Sequence, residues 1–282
     1  MRDALVKIGG RLLDVVLPPL CLSCGAMVDR SQALCPSCWA AQRFIAPPLC
    51  SRCGTPLAAG AGEADLVCAA CLARPPRYAR ARSVFCYDDA SRRMILGFKH
   101  ADRTQAAPAF AAWMARAGAE LVAAADIVAP VPLHYRRLLR RRYNQSAMLA
   151  VLIGRQAGKA VAVDLLLRRR ATPSQAGLNA RERRRNVAGA IAVNPKRKTG
   201  LRGQRVLLID DVLTTGATIG ACVGALLRTG AGAVDVLTLA RVVRPVRLDP
   251  ASPDALALDQ PQLLAAIDEF QVDDESEPAR YI

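Results

Sequence analysis

The chain has 282 residues, 52% of them apolar, so one domain of ordinary size with a smaller unit attached can bury a sizeable core. Aromatic residues make up only 4%, which leaves core packing to Ala, Leu and Val and makes stacking platforms for single-stranded nucleic acid sparse. The net charge of +15 hides an asymmetry: residues 249–282 hold nine acids and one Arg, so residues 1–248 carry 38 bases against 15 acids, a surface that attracts phosphates, nucleic acid or anionic lipid.

At the N-terminus, Leu5, Ile8, Leu12, Val15 and Val16 recur at helical spacing, while Lys7, Arg11 and Asp14 interrupt the apolar run. This predicts an amphipathic helix rather than a secretory signal. No run approaches the roughly 18 apolar residues of a transmembrane helix, and a cytoplasmic protein is expected.

Eight of the ten cysteines then form four Cys-x-x-Cys pairs: Cys21/Cys24, Cys35/Cys38, Cys50/Cys53 and Cys68/Cys71. Without an export signal such pairs read as metal knuckles, and two knuckles complete a tetrahedral zinc site. Neighbour pairing gives two four-cysteine sites in a tandem zinc ribbon holding one or two structural ions, although spacing also permits an interleaved pairing. Gly25 and Gly54, directly after Cys24 and Cys53, allow the tight knuckle backbone. Cys86 and Cys222 read as small buried apolar groups.

Pro75-Pro76 marks the boundary between the ribbon and the larger domain. A strand at 82–87 precedes a short helix whose Met94, Ile95 and Phe98 share a face, and Lys99 and His100 end it. Lys99 either reaches a phosphate or simply favours the helix dipole. A single Ala-rich helix is expected from Pro108 to about Ala125. The strand 126–133 ends in the Pro-bounded Val131, Pro132 and Leu133, followed by Arg136, Arg137, Arg140, Arg141, Arg142, Tyr143, Asn144 and Gln145. A loop with that many guanidiniums after a strand suits a polyphosphate, or else forms a solvated face. Residues 168–186, basic and turn-rich with Gln175, Arg181 and Arg183, read as a mobile loop able to close over a ligand. Strands at 187–193, 205–209 and 234–241 complete an alternation that calls for a parallel sheet with helices on both faces. The acid- and Pro-rich end is expected to be a tail, apart from a short helix near 261–270.

The densest chemistry lies at Val206-Leu-Leu-Ile-Asp210-Asp211-Val-Leu-Thr214-Thr215-Gly216-Ala217-Thr218. A buried strand ends in two carboxylates, and small, hydroxyl-bearing residues with unpaired amides open a helix behind them. Hydroxyl acceptors beside an anion cradle imply a ribose 5-phosphate. A plain strand-turn-helix capped by Asp211 or Thr215 is the other reading.

The stretch closely resembles the PRPP-binding motif of type I phosphoribosyltransferases. That likeness implies that Asp210 and Asp211 hold ribose hydroxyls while Thr214, Thr215, Gly216, Ala217 and Thr218 hold the 5-phosphate. Taken with the four cysteine pairs, Pro130-Val-Pro-Leu-His134 with Arg136, Tyr143-Asn-Gln145, Thr172-Pro-Ser-Gln175 and Arg181-Glu-Arg183 with Asn186, residues 18–241 resemble the ComF family of double-zinc-ribbon phosphoribosyltransferase-like proteins. The family tends to have Arg-Gly-Phe-Asn-Gln where this chain has Arg141-Arg142-Tyr143-Asn-Gln, and the acidic tail exceeds its usual length.

The resemblance implies an α/β type I phosphoribosyltransferase fold over residues 76–248, a zinc-ribbon unit over 1–75 and a tail over 249–282. It makes Val131, Pro132, Leu133, Arg136, Arg140 and Lys99 candidates for pyrophosphate, and Gln175, Arg181 and Arg183 candidates on a flexible lid. Mg²⁺ would accompany PRPP. No catalytic base and no base-recognising element stand out, so phosphoribosyl transfer lacks a named acceptor. The family is associated with natural competence, which implies single-stranded DNA or a DNA-uptake helicase or other partner as the alternative ligand of the basic face. The sequence specifies no oligomeric state.

Overall fold

The structure is a computed structural model that describes residues 18–58, 66–99, 101–172 and 179–243. Its centre is a five-stranded parallel sheet of β1 (Ala81–Cys86), β2 (Ile127–Pro130), β3 (Ala160–Val161), β6 (Arg205–Leu213) and β7 (Ala233–Arg241), in the order β1-β7-β6-β2-β3. A separate antiparallel pair joins β4 (Leu166–Arg168) to β5 (Ile191–Val193).

Alternate residues of the central strands serve opposite faces. Leu207, Ile209, Leu237 and Leu239 pack with α3 (Asp89–Lys99), α4 (Ala107–Ala117), α5 (Ala119–Ala124) and α7 (Gln145–Ala157). Val206, Leu208, Val234 and Val236 pack with α9 (Ala217–Arg228) and the β4-β5 pair. Continuous apolar runs at 206–209 and 236–237 are therefore buried on both sides, as a parallel sheet between two helix layers requires.

The cysteine-rich unit contributes two single-turn helices, α1 (Pro36–Ala40) and α2 (Ala69–Ala73), and covers the outer edge of β1. Ile45 N–H donates to the Val84 carbonyl at 2.8 Å, Cys86 N–H to the Arg43 carbonyl at 2.9 Å and Ala81 N–H to the Arg52 carbonyl at 2.7 Å. An edge strand that would otherwise offer unpaired donors and acceptors is thus closed. The scarce aromatics reinforce this junction. Ring centroids run from Trp39 to Phe44 (4.6 Å), Phe85 (4.9 Å), Trp113 (5.7 Å), Phe110 (5.7 Å) and Phe98 (5.3 Å), binding the ribbon to the helix layer.

Several local expectations are corrected. The helix predicted from Pro108 to Ala125 is two helices broken at Gly118, where a Cβ would lie 2.7 Å from a Leu237 methyl. The arginine run after Leu133 is a helix, α6 (Tyr135–Arg141), capped by the buried His134, whose Nδ1 accepts from Arg136 N–H at 3.3 Å. The segment expected to be a mobile loop contains the end of β4 and a further helix, α8 (Ala180–Val187). Asn179 and Glu182 form a reciprocal capping box there, and the Arg and Glu residues that follow are good helix formers. The helix predicted at the N-terminus, His100, Pro173-Ser-Gln175 and the acidic tail with the short helix predicted in it lie outside the described residues.

Candidate functional site

β2 and β6 pair only as far as Pro130 opposite Ile209, and β6 continues to Leu213 beside β7. The chain leaves β2 toward β3 on one side and β6 toward β7 on the other, so a crevice opens between them at the carboxyl edge. Asp210 and Asp211 stand on the part of β6 that runs past β2, inside the strand rather than after it.

Asp210 Oδ1 accepts from Ser146 Oγ at 3.1 Å and from Asp211 N–H at 3.0 Å. Burial, and then the charge of Asp211 beside it, push the Asp210 carboxyl up to about 7 from its ordinary 3.8. Asp211 Oδ2 lies 3.1 Å from the Lys99 ammonium. The fold therefore brings together three of the candidate residues, Lys99, Asp210 and Asp211.

The Tyr143-Asn-Gln145 stretch works as a clamp. Tyr143 Oη donates to the Phe98 carbonyl at 2.6 Å, Gln145 Nε2 to the Lys99 carbonyl at 3.1 Å and Asn144 Nδ2 to the Val131 carbonyl at 3.1 Å. Asn144 Oδ1 also caps α7 by accepting from Ser146 N–H at 3.1 Å. One turn thus fixes the end of α3, the loop after β2 and the hydroxyl that reaches Asp210. These positioning roles were not read from the sequence, although the motif itself was. Ser146 carried no sequence signal.

Behind the carboxylates, α9 is preceded by its N-cap Gly216, whose φ of +73° is left-handed and which supplies no side-chain cap. The N-cap position is thus taken by Gly216 and not by Asp211 or Thr215. The Thr215 hydroxyl is buried with no hydrogen-bond partner. A helix of twelve residues whose N-cap glycine supplies no side-chain cap, beside an orphaned hydroxyl, has donors suited to an anion.

Arg168, at the end of β4, also belongs to these surroundings. Burial lowers its pKa, the charges of Cys222 and Asp210 oppose that shift, and its Nε has no partner. Arg136, by contrast, is exposed and donates to the Tyr135 hydroxyl at 3.3 Å. Val131 is buried and Leu133 half-buried in the loop, Arg140 falls within α6, Arg181 is exposed on α8, and Arg183 is buried.

The cysteines resolve into neighbour pairs. Within Cys21, Cys24, Cys35 and Cys38, and again within Cys50, Cys53, Cys68 and Cys71, all sulfurs lie within 4.8 Å of one another. Cys24 to Cys35 and Cys53 to Cys68 are each 3.7 Å, close to the edge of about 3.8 Å for a tetrahedron with zinc–sulfur bonds of about 2.3 Å. Backbone N–H groups of Cys35, Cys53 and Cys68 point at the sulfurs of Cys21 and Cys50 from 3.3–3.4 Å, as thiolate ligands require. The donor set fits zinc, and four thiolates leave no position for substrate, so the metal is structural. Cys86 and Cys222 are buried, apart from both clusters.

A family model described as a double zinc ribbon domain matches residues 12–72. The DNA utilization protein YhgH of Salmonella typhi is 33% identical over 236 residues, spanning 81% of this chain and 100% of that protein. Competence protein F of Haemophilus influenzae is 28% identical over 227 residues, which are 78% of this chain and 96% of its own. An HGPRTase-like protein of Halobacterium salinarum is 45% identical over 56 residues, 20% of this chain and 30% of that one.

Proposed function

The chain belongs to the ComF family, and on that premise we propose that it binds PRPP or a related ribose 5-phosphate in the crevice between β2 and β6. The observation that carries this reading is the unpartnered Thr215 hydroxyl at the uncapped start of α9, one short turn beyond a carboxylate pair. A 5-phosphate satisfies the hydroxyl and the amides, and the ribose diol donates to Asp210 and Asp211. Mg²⁺ would supply charge neutralisation for the pyrophosphate. The short likeness to an HGPRTase-like protein supports the same ligand class. The reaction such a site serves is transfer of phosphoribose to an acceptor, with pyrophosphate leaving from C1.

Calorimetric titration of PRPP with Mg²⁺ into zinc-loaded protein tests the reading. We expect saturable binding, weakened about 100-fold in Asp210→Asn/Asp211→Asn through loss of two charge-assisted acceptors. Equal binding by both proteins would dismiss the site.

A second reading, DNA handling, is favoured by the names of YhgH and competence protein F and by exposed bases at Arg169, Arg170, Arg184, Arg185, Lys196, Arg197 and Lys198. Part of that charge is already used: Arg170 donates to the Asn186 and Ala188 carbonyls, and Arg197 pairs with Asp164. DNA affinity that falls steeply with salt would support this reading, and salt-insensitive binding would end it.

A further inference from the structure

Lys99 closes α3 at the mouth of the crevice, and its ammonium lies 3.1 Å from Asp211 Oδ2, with side-chain exposures of 21% and 17%. Both charges have given up much of their hydration and each compensates the other. The backbone that carries Lys99 is held unusually firmly for a helix end. The carbonyls of Phe98 and Lys99 belong to a last turn, where intrahelical donors run out. Tyr143 and Gln145 supply donors to these two carbonyls, at 2.6 and 3.1 Å. The same turn delivers Ser146 to Asp210. The cation and both carboxylates are thus indexed to the start of α7.

We infer that Lys99 is an anion-binding residue held in reserve. Without ligand it pairs with Asp211, and it passes to a phosphate oxygen when a ligand diol takes over Asp211. This rests on the ribose-phosphate reading for the identity of the ligand, and on the ion pair for the exchange. Lysine suits the task, because a compact charge on a flexible four-carbon stem can swing while its backbone stays clamped. Arginine in a bidentate grip on Asp211 would not release so readily. At the end of the exchange neither Asp211 nor Lys99 is left without a partner, which is the condition for moving a half-buried charge at little cost. The ligand that completes the swap carries a vicinal diol and a pyrophosphate on one molecule. Pyrophosphate alone meets a lysine that is still engaged.

The alternative is a static strut that ties α3 to β6. Titration of inorganic pyrophosphate, without divalent cation, into zinc-loaded full-length protein separates the two. The proteins are wild type, Lys99→Met, Asp211→Asn and the double variant, with zinc content and thermal midpoint showing that all share one fold. Exchange predicts that Asp211→Asn binds pyrophosphate about tenfold more tightly than wild type, because its lysine is released, and that adding Lys99→Met abolishes the gain. A gain that survives in the double variant reports only the removal of a negative charge and overturns the inference. So does the absence of any gain. Lys99→Arg in the Asp211→Asn background retains most of the gain if the charge is what binds. PRPP titrated in parallel keeps the two claims apart. If PRPP fails while the pyrophosphate cycle has the stated form, the ligand assignment falls and the exchange stands. If PRPP binds and the cycle is flat, the exchange falls alone.

Discussion

Ser146 Oγ donates to Asp210 Oδ1 at 3.1 Å across 64 positions of sequence, joining the first turn of α7 to the carboxyl end of β6. The bond stabilises the ionised carboxyl, yet burial and the adjacent Asp211 outweigh it and leave Asp210 with a pKa of about 7. Asp210 is thereby poised to change charge near neutrality.

That shift fixes the sign of a pH dependence. The folded-state pKa is raised from 3.8, so the stability Asp210 contributes is fully present below about 4, declines as pH rises, and is lost once pH passes about 7. Asp210→Asn, which mimics the protonated carboxyl, has no such loss. Its advantage over wild type in urea unfolding should grow by about 1–2 kcal/mol between roughly pH 5.5 and pH 8, then level off. An advantage that does not change with pH would mean that Asp210 titrates normally.

Each four-cysteine cluster should hold one zinc, so elemental analysis of the intact protein should give two ions per chain. The second cluster is the more deeply tied to the core, since Arg241 Nη1 donates to the Cys53 carbonyl and a Cβ on Gly54, at φ +67°, would lie 2.4 Å from the Ala81 carbonyl oxygen. Gly54→Ala is expected to cost more than about 2 kcal/mol and to lower zinc retention. Gly25→Ala meets nothing within 4 Å and bears only the strain of its positive φ of +76°, roughly 1 kcal/mol. Equal losses at the two glycines would show that contact with β1 is unimportant.

Arg142 occupies a left-handed conformation, φ +62°, at the end of α6. This is the position where the ComF family tends to have Gly, and the departure has a physical consequence. Arg142→Gly should stabilise the protein by about 0.5–1 kcal/mol in chemical denaturation, because a side chain in that region strains against its own carbonyl. A loss of stability would mean that the guanidinium makes a contact worth more than the strain.

What the sequence revealed depended on how local each signal was. Asp210 to Thr218 form one strand-turn-helix, so spacing alone marked them as a candidate site, and the knuckles were legible because two thiols on one turn have few other uses. Neighbour pairing of the knuckles and the meeting of Lys99 with Asp211 depend on chain segments brought together only by folding. The arginine-rich stretches misled for a related reason. Charge density suggested loops, whereas Asn179 with Glu182, and His134 at the start of α6, are short-range caps that turn such stretches into helices. The Tyr143-Asn-Gln145 clamp was visible as a pattern but not as a function, because its partners are backbone carbonyls, which no sequence pattern marks.

Thr215 separates binding from folding more cleanly than the carboxylates do. Its hydroxyl is buried and has no hydrogen-bond partner, so the folded protein bears a desolvation cost that a ligand can offset. Thr215→Val keeps the shape of the side chain and removes that cost. The variant should therefore be as stable as wild type, or more stable by up to about 1 kcal/mol, while its affinity for ribose 5-phosphate falls about tenfold. Measured side by side, a thermal shift upward with weaker binding is the signature of a hydroxyl kept for its ligand. A variant that loses stability would mean instead that the hydroxyl serves the fold, and the phosphate would have to be sought elsewhere on the carboxyl edge of the sheet.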